Sequence, residues 1–225
     1  IVGWDDSYSK DNFNTDLEGD GAFICQNSWG DNFGENGFFY ISYYDTNIGT
    51  HNVVYTDIEN TDNYDHIYQS DLCGWVGQLG YNKDSIYGAN VFTAEGNETL
   101  KAASFYATGK DSQYELYVVR QFEDETSLEK MIPVASGKLG NAGYYTVDFN
   151  QGIEVDAGER YAVVLYIITP GSVHPMAIEY AADEATENVD LDDGESYISA
   201  NGSKWVSVDT VEKSNLCIKA FSDNR

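Results

Sequence analysis

A mainly β fold is predicted for this 225-residue chain, with a smaller β-rich part first and a β-sandwich or jelly roll after it. Three observations carry the prediction. Eighteen Tyr and ten Phe favour strands. Short apolar runs recur along the second part, separated by "GKDS", "LGNAG", "DAGE" and "NGSK", whose Gly and Asn residues supply turns. No stretch has the periodicity of a long helix; "DETSLEKM" (124–131) is long enough only for a helical turn.

The elements follow in order. Residues 1–60 are rich in Gly, Asn and Asp and hold "IVGW", "ICQNSWGDNFGENGFFYISYY" (24–44) and "THNVVY" (50–55). "DIENTDNYD" (57–65) has no apolar periodicity, so a domain boundary is placed there, dividing the chain into 1–60 and 61–225. Strands are then expected near 74–80, 87–94, 98–108, 113–120, 143–149, 160–168, 175–181, 195–200 and 216–221. On "QYELYVVR", Tyr114, Leu116 and Val118 point one way and Glu115, Tyr117 and Val119 the other. The acidic stretch 183–196 reads as a solvated loop, and no internal repeat is found.

Composition narrows the partners. Twelve Lys and Arg against 38 Asp and Glu give a net charge of −26. A field of that sign repels phosphate backbones and anionic membranes, so no nucleic acid partner is expected; the balance suits a well-solvated, extracellular surface. The longest apolar run, "YAVVLYIITP" (161–170), has strand length and is too short to span a membrane. The opening "IVGWDD" has neither a basic n-region nor an initiator Met and reads as the middle of a strand, so a fragment or processed product is expected. Cys25, Cys73 and Cys217 are odd in number and lack CxxC spacing. Cys25 and Cys217 lie in apolar runs and read as buried thiols, with a Cys73–Cys217 bridge as the alternative.

The stretch "QNSWGDNFGENGFF" carries the chemistry. A catalytic imidazole must be held in one tautomer beside its nucleophile, and a side-chain amide oxygen accepting the ring N–H does this without adding charge. An adjacent indole shields that bond from water. Asn27 and Trp29 are the pair for these roles.

"NSWGDNFGENGFFYI" resembles the C-terminal signature of papain-like cysteine peptidases, N-S-W-G-x-x-W-G-E-x-G-Y/F, and "IVGW" resembles the strand that follows the family's catalytic His. The resemblance implies a Cys–His–Asn catalytic set in which Asn27 is the Asn. Phe33 stands where the family usually has Trp, and Gln26 where a basic or apolar residue is common. The family's nucleophile, in a Q-G-x-C-G-x-C-W context, has no counterpart here; Cys25 is on the wrong side of the motif. The catalytic His would fall just before Ile1, and His51, His66 and His174 lack its context. The chain alone is therefore expected to be inactive.

"YDHIYQSDLCGWVGQLGY", "ANVFTAEGNETLKAASFYAT" and "CIKAF" resemble the lectin-like β-domain that follows papain-like domains in some secreted microbial peptidases. A glycan is thus a candidate ligand, with Trp75 and Trp205 as stacking faces or, alternatively, as core aromatics. "DLDDGES" (190–196) lacks EF-hand spacing, so no metal is assigned. Asn97 and Asn201 match glycosylation sequons. No phosphate loop and no cofactor motif occurs. The reading is a secreted, extracellular or cell-surface papain-like endopeptidase, seen from its C-terminal portion, acting on peptides or proteins. The alternatives are a non-catalytic carbohydrate-binding or adhesion module, and a β-domain that limits substrate access.

Overall fold

A computed structural model describes residues 1–50 and 53–225; His51 lies outside the described residues. The chain divides into two compact units, Ile1–Glu59 and Asn60–Arg225.

The first unit is built on an antiparallel sheet of β1 (Gly3–Asp5), β2 (Ala22–Gln26) and β3 (Phe38–Ser42), in that order. Register sets Trp4 beside Phe23 and Cys25 beside Phe39. Tyr8 stacks on Tyr40 with ring centroids 4.2 Å apart and meets Phe13 edge-on. Little else is enclosed: Ala22 and Cys25 are buried, while Ile1, Val2 and Trp4 (69% exposed) lie open.

The second unit is a sandwich of antiparallel sheets. Its strands are β4 (His66–Tyr68), β5 (Gly77–Leu79), β6 (Ser85–Thr93), β7 (Glu98–Ala107), β8 (Ser112–Val119), β9 (Ile132–Leu139) and β10 (Gly143–Val155). They continue with β11 (Arg160–Ile168), β12 (Met176–Glu179), β13 (Glu195–Ser199), β14 (Val206–Ser207), β15 (Asn215–Leu216) and β16 (Ile218–Asn224). One sheet runs β14-β13-β6-β11-β8-β9, a second β10-β7-β16-β4, and a short third β15-β12-β5.

Alternation builds the core. Leu116 and Val118 of β8, Val163, Leu165 and Ile167 of β11, and Ile86 of β6 pack against Leu100 and Phe105 of β7 and Ile218 of β16. The opposite side of the six-stranded sheet has its own apolar layer: Ala89, Val91, Val119, Ala162 and Val164 beneath Phe122 and Leu128. β11 has apolar neighbours on both faces, which explains its nearly unbroken apolar run.

Three strands lie outside the sequence expectation. β9 contains Pro133 and Gly137, residues that argue against a central strand. It is an edge strand, where Pro is tolerated, and its pairing with β8 shifts register at Leu116/Tyr117, opposite Pro133. β4 and β14 are only three and two residues long, too short to show a period. The run "LCIKAF" divides at Cys217 between β15 and β16, which belong to different sheets. "DETSLEKM" supplies one 3-10 turn, Glu125–Glu129, closed by a capping box between Asp124 and Ser127. All three cysteines are free, Cys25 and Cys217 buried and Cys73 exposed.

Candidate functional site

The loop between β2 and β3 is shaped by its glycines and amides. Gly30, Gly34 and Gly37 have φ of +89°, +63° and +90°, and Asn36 has +53°. At Gly34 a Cβ would lie 2.1 Å from the Phe38 carbonyl oxygen, so no other residue fits that backbone. Phe38 N–H donates to the Glu35 carbonyl and Glu35 N–H to the Phe38 carbonyl, closing the turn at 3.1 and 2.8 Å. Gly37 N–H donates to the Phe33 carbonyl at 2.9 Å.

That turn delivers the Gly37 carbonyl to Asn27. It accepts from both the backbone N–H and the Nδ2 of Asn27, each at 2.9 Å. On the other side of the amide, Oδ1 accepts the Trp29 N–H at 2.6 Å. Together these contacts fix which end of the side chain is oxygen, because a flipped amide would set O against O and N against N. A carbonyl oxygen has two lone pairs, and Trp29 N–H takes one. Half-buried Asn27 thus holds an oriented acceptor with capacity for one more N–H.

Trp29 is 75% exposed. It meets Phe33 edge-on at 4.9 Å, and Phe33 meets Phe39 of β3 edge-on at 5.8 Å. Phe33, where the peptidase signature has Trp, therefore links Trp29 to the sheet. Cys25 is buried on β2 beside Phe39, away from solvent. His66 and His174 belong to the second unit. His66 is engaged there with Asn224 Oδ1 at 2.9 Å and Glu95 at 3.6 Å.

In the second unit the two tryptophans differ. Trp75 is 37% exposed and packs against Tyr106, with ring centroids 5.8 Å apart. Trp205 is edge-on to Tyr87, packs on the outer apolar layer and has a buried Nε1 without a partner among the described residues, so it reads as a packing residue. The acidic segment before β13 is anchored to the sandwich. Asn215 Nδ2 lies 2.7 Å from Ser70 O, 2.8 Å from Asp190 O, 3.1 Å from Glu179 Oε1 and 3.3 Å from Asp193 Oδ1. An amide has two hydrogens for those four acceptors. Burial, together with the Asp190 charge, raises the Asp193 carboxyl above the usual range. Asp71 is also raised by burial, against the opposing pull of Lys219 Nζ at 2.8 Å. Among the described residues, no group of three or more His, Cys, Asp or Glu is placed to hold a metal ion.

Sequence reasoning passed over one concave feature of the sandwich. A cleft of about 270 Å³ opens on the six-stranded sheet between β8, β9 and β11, lined among others by Gln113, Glu115, Ser136, Lys138 and Tyr166. Its β9 wall was hidden by Pro133 and Gly137. The alternation of Gln113 and Glu115 on β8 was the available signal.

Fold and loop together define a segment of papain-type peptidase joined to a β-sandwich. The papain family cysteine protease profile matches residues 1–58, and the lectin like domain profile matches residues 67–222. The second match spans most of the chain, which belongs to the lectin-like domain family. A search of curated proteins gave no match. Among solved structures, the chain is similar to the clostridial cysteine protease Cwp84 after propeptide cleavage, with 28% identity over 99% of this chain and a TM-score of 0.80. It is likewise similar to the cysteine protease and lectin-like domains of Cwp84, a surface layer associated protein of Clostridium difficile, with 25% identity over 99% of this chain and a TM-score of 0.74. The chain covers 56% and 50% of those two structures, about half their length.

Proposed function

We propose that this chain is a portion of a secreted, cell-surface papain-like endopeptidase that includes the C-terminal part of its catalytic domain. Its first unit, about residues 1–60, completes the catalytic domain, and the remainder is an accessory lectin-like domain. The observation that carries the reading is the doubly tethered Asn27 amide, whose Oδ1 is presented with one lone pair unspent.

The chemistry is acyl transfer. The thiolate of an upstream Cys attacks the peptide carbonyl, and an upstream His donates its proton to the leaving amine. Asn27 Oδ1 accepts the other ring N–H and fixes the tautomer, so that the nitrogen facing the thiol exchanges the proton. Trp29, exposed in this chain, covers that bond when the imidazole is present. This chain holds neither partner in its proper context and is inactive by itself. Similarity to Cwp84, a surface layer associated protein, supports a cell-surface setting.

The test is Asn27→Ala in the full enzyme. A misdirected imidazole lowers kcat by about 10²-fold, the order expected for a displacement of roughly 1 Å, with KM little changed. Unchanged kcat would remove Asn27 from the catalytic set. A second reading, a carbohydrate-binding or adhesion module with a peptidase remnant as support, is favoured by the cleft on the six-stranded sheet.

A further inference from the structure

We propose that the cleft on the outer face of the six-stranded sheet is a sugar-binding site that takes one uncharged pyranose ring of a glycan. It rests on the carbohydrate reading of the lectin-like domain and gives that reading a place and a ligand charge. Neither tryptophan that the sequence offered as a sugar platform lines it.

Register places the groups. Tyr87, Tyr166, Glu115 and Ser136 stand side by side across β6, β11, β8 and β9. Ile168, Gln113 and Lys138 form the next row across β11, β8 and β9. Because Leu165 and Ile167 enter the core, Tyr166 between them points outward into the cleft. Tyr87 stacks behind it at 4.2 Å and 22°, which braces the ring. A fixed, half-exposed aromatic face suits the apolar side of a pyranose at little entropic cost.

Hydroxyl recognition comes from the polar wall. Gln113, Ser136 and Lys138 are exposed, and none of their side chains takes part in a hydrogen bond or ion pair described within the fold. Glu115 accepts the Tyr117 hydroxyl through Oε2, which holds the carboxylate and leaves Oε1 for a ligand. The set therefore offers a planar amide, a hydroxyl, an ammonium and a carboxylate around one aromatic face. A solvated sheet face accounts for the charges, but not for the concavity beside a braced tyrosine. The volume falls below the roughly 300–1,000 Å³ of pockets that enclose drug-sized ligands, so it fits one ring of a chain that continues into solvent. The net charge of −26 disfavours polyanionic sugars, and Glu115 and Lys138 balance within the cleft.

The test uses the whole chain with methyl glycosides of glucose, mannose, galactose and N-acetylglucosamine at millimolar concentration, and a uronic-acid oligomer beside them. Saturation-transfer NMR reads the ligands, and amide shifts read the protein. At least one neutral glycoside is expected to bind and to shift Gln113, Ser136 and Tyr166. Gln113→Ala and Lys138→Ala, both surface changes, each weaken it about fivefold, the order of one lost hydrogen bond. Tyr166→Ala abolishes binding, and Tyr166→Phe retains it. Undiminished binding in a Gln113→Ala/Lys138→Ala double variant would move the site elsewhere and leave the glycan reading standing. No binding of any neutral glycoside would overturn site and reading together, and preference for the uronic-acid oligomer would overturn the uncharged ligand.

Discussion

Glu98 shows how one buried residue ties the stability of the sandwich to pH. It is fully enclosed where β7 meets β16, yet its oxygens accept the Tyr68 hydroxyl, the Ser222 hydroxyl at 2.6 Å and the Gly96 N–H at 2.8 Å. Burial alone would raise its pKa; the three donors outweigh it, and the carboxyl lies below its usual value. A depressed folded pKa contributes stability that is whole above the unfolded value near 4.3 and is lost as pH falls through the folded one. Stability should therefore fall as pH drops below about 5, and Glu98→Gln should flatten that slope in urea melts while lowering stability at neutral pH. An unchanged slope would assign the acid loss to other groups. Residues of this kind were not legible in the sequence, because nothing in "GNETL" distinguishes a buried acid from a surface one. As a candidate, Asn27 stood out in the sequence because Ser28, Trp29 and the glycines accompany it, but the hydrogen bond from its Nδ2 to Gly37 needs the folded loop.

At the scale of elements, the β2–β3 connection depends on backbone conformations that few residues adopt. Gly34→Ala should cost more than the roughly 1–2 kcal/mol of a left-handed non-glycine residue, because its Cβ also collides with the Phe38 carbonyl. The expected outcome is loss of amide-exchange protection at Asn27 and Gly37, with the sandwich protected as before. Retained protection would mean that the turn tolerates a second geometry. Strands with strong alternation or long apolar runs, β8 and β11 above all, were readable from residue order. β9 was not, because an edge position that tolerates Pro133 is a property of the sheet and not of the segment. The break at Cys217 was hidden for a similar reason: both halves are apolar, and only sheet topology divides them.

At the scale of the molecule, the two units differ in how much they bury. The second has an enclosed core and a further apolar layer behind its six-stranded sheet. The first encloses a few side chains and leaves Ile1, Val2, Trp4 and Trp29 exposed, as expected of a sheet that is part of a larger domain. The most direct test of that account is the intact mass of the native protein from its source, before and after reaction with a thiol-directed probe of papain-type peptidases. The account predicts a species well above 25.0 kDa that gains one probe mass, and a recombinant full enzyme that labels more slowly when Asn27 is replaced by Ala. A native species of about this chain's mass that takes up no probe would contradict it.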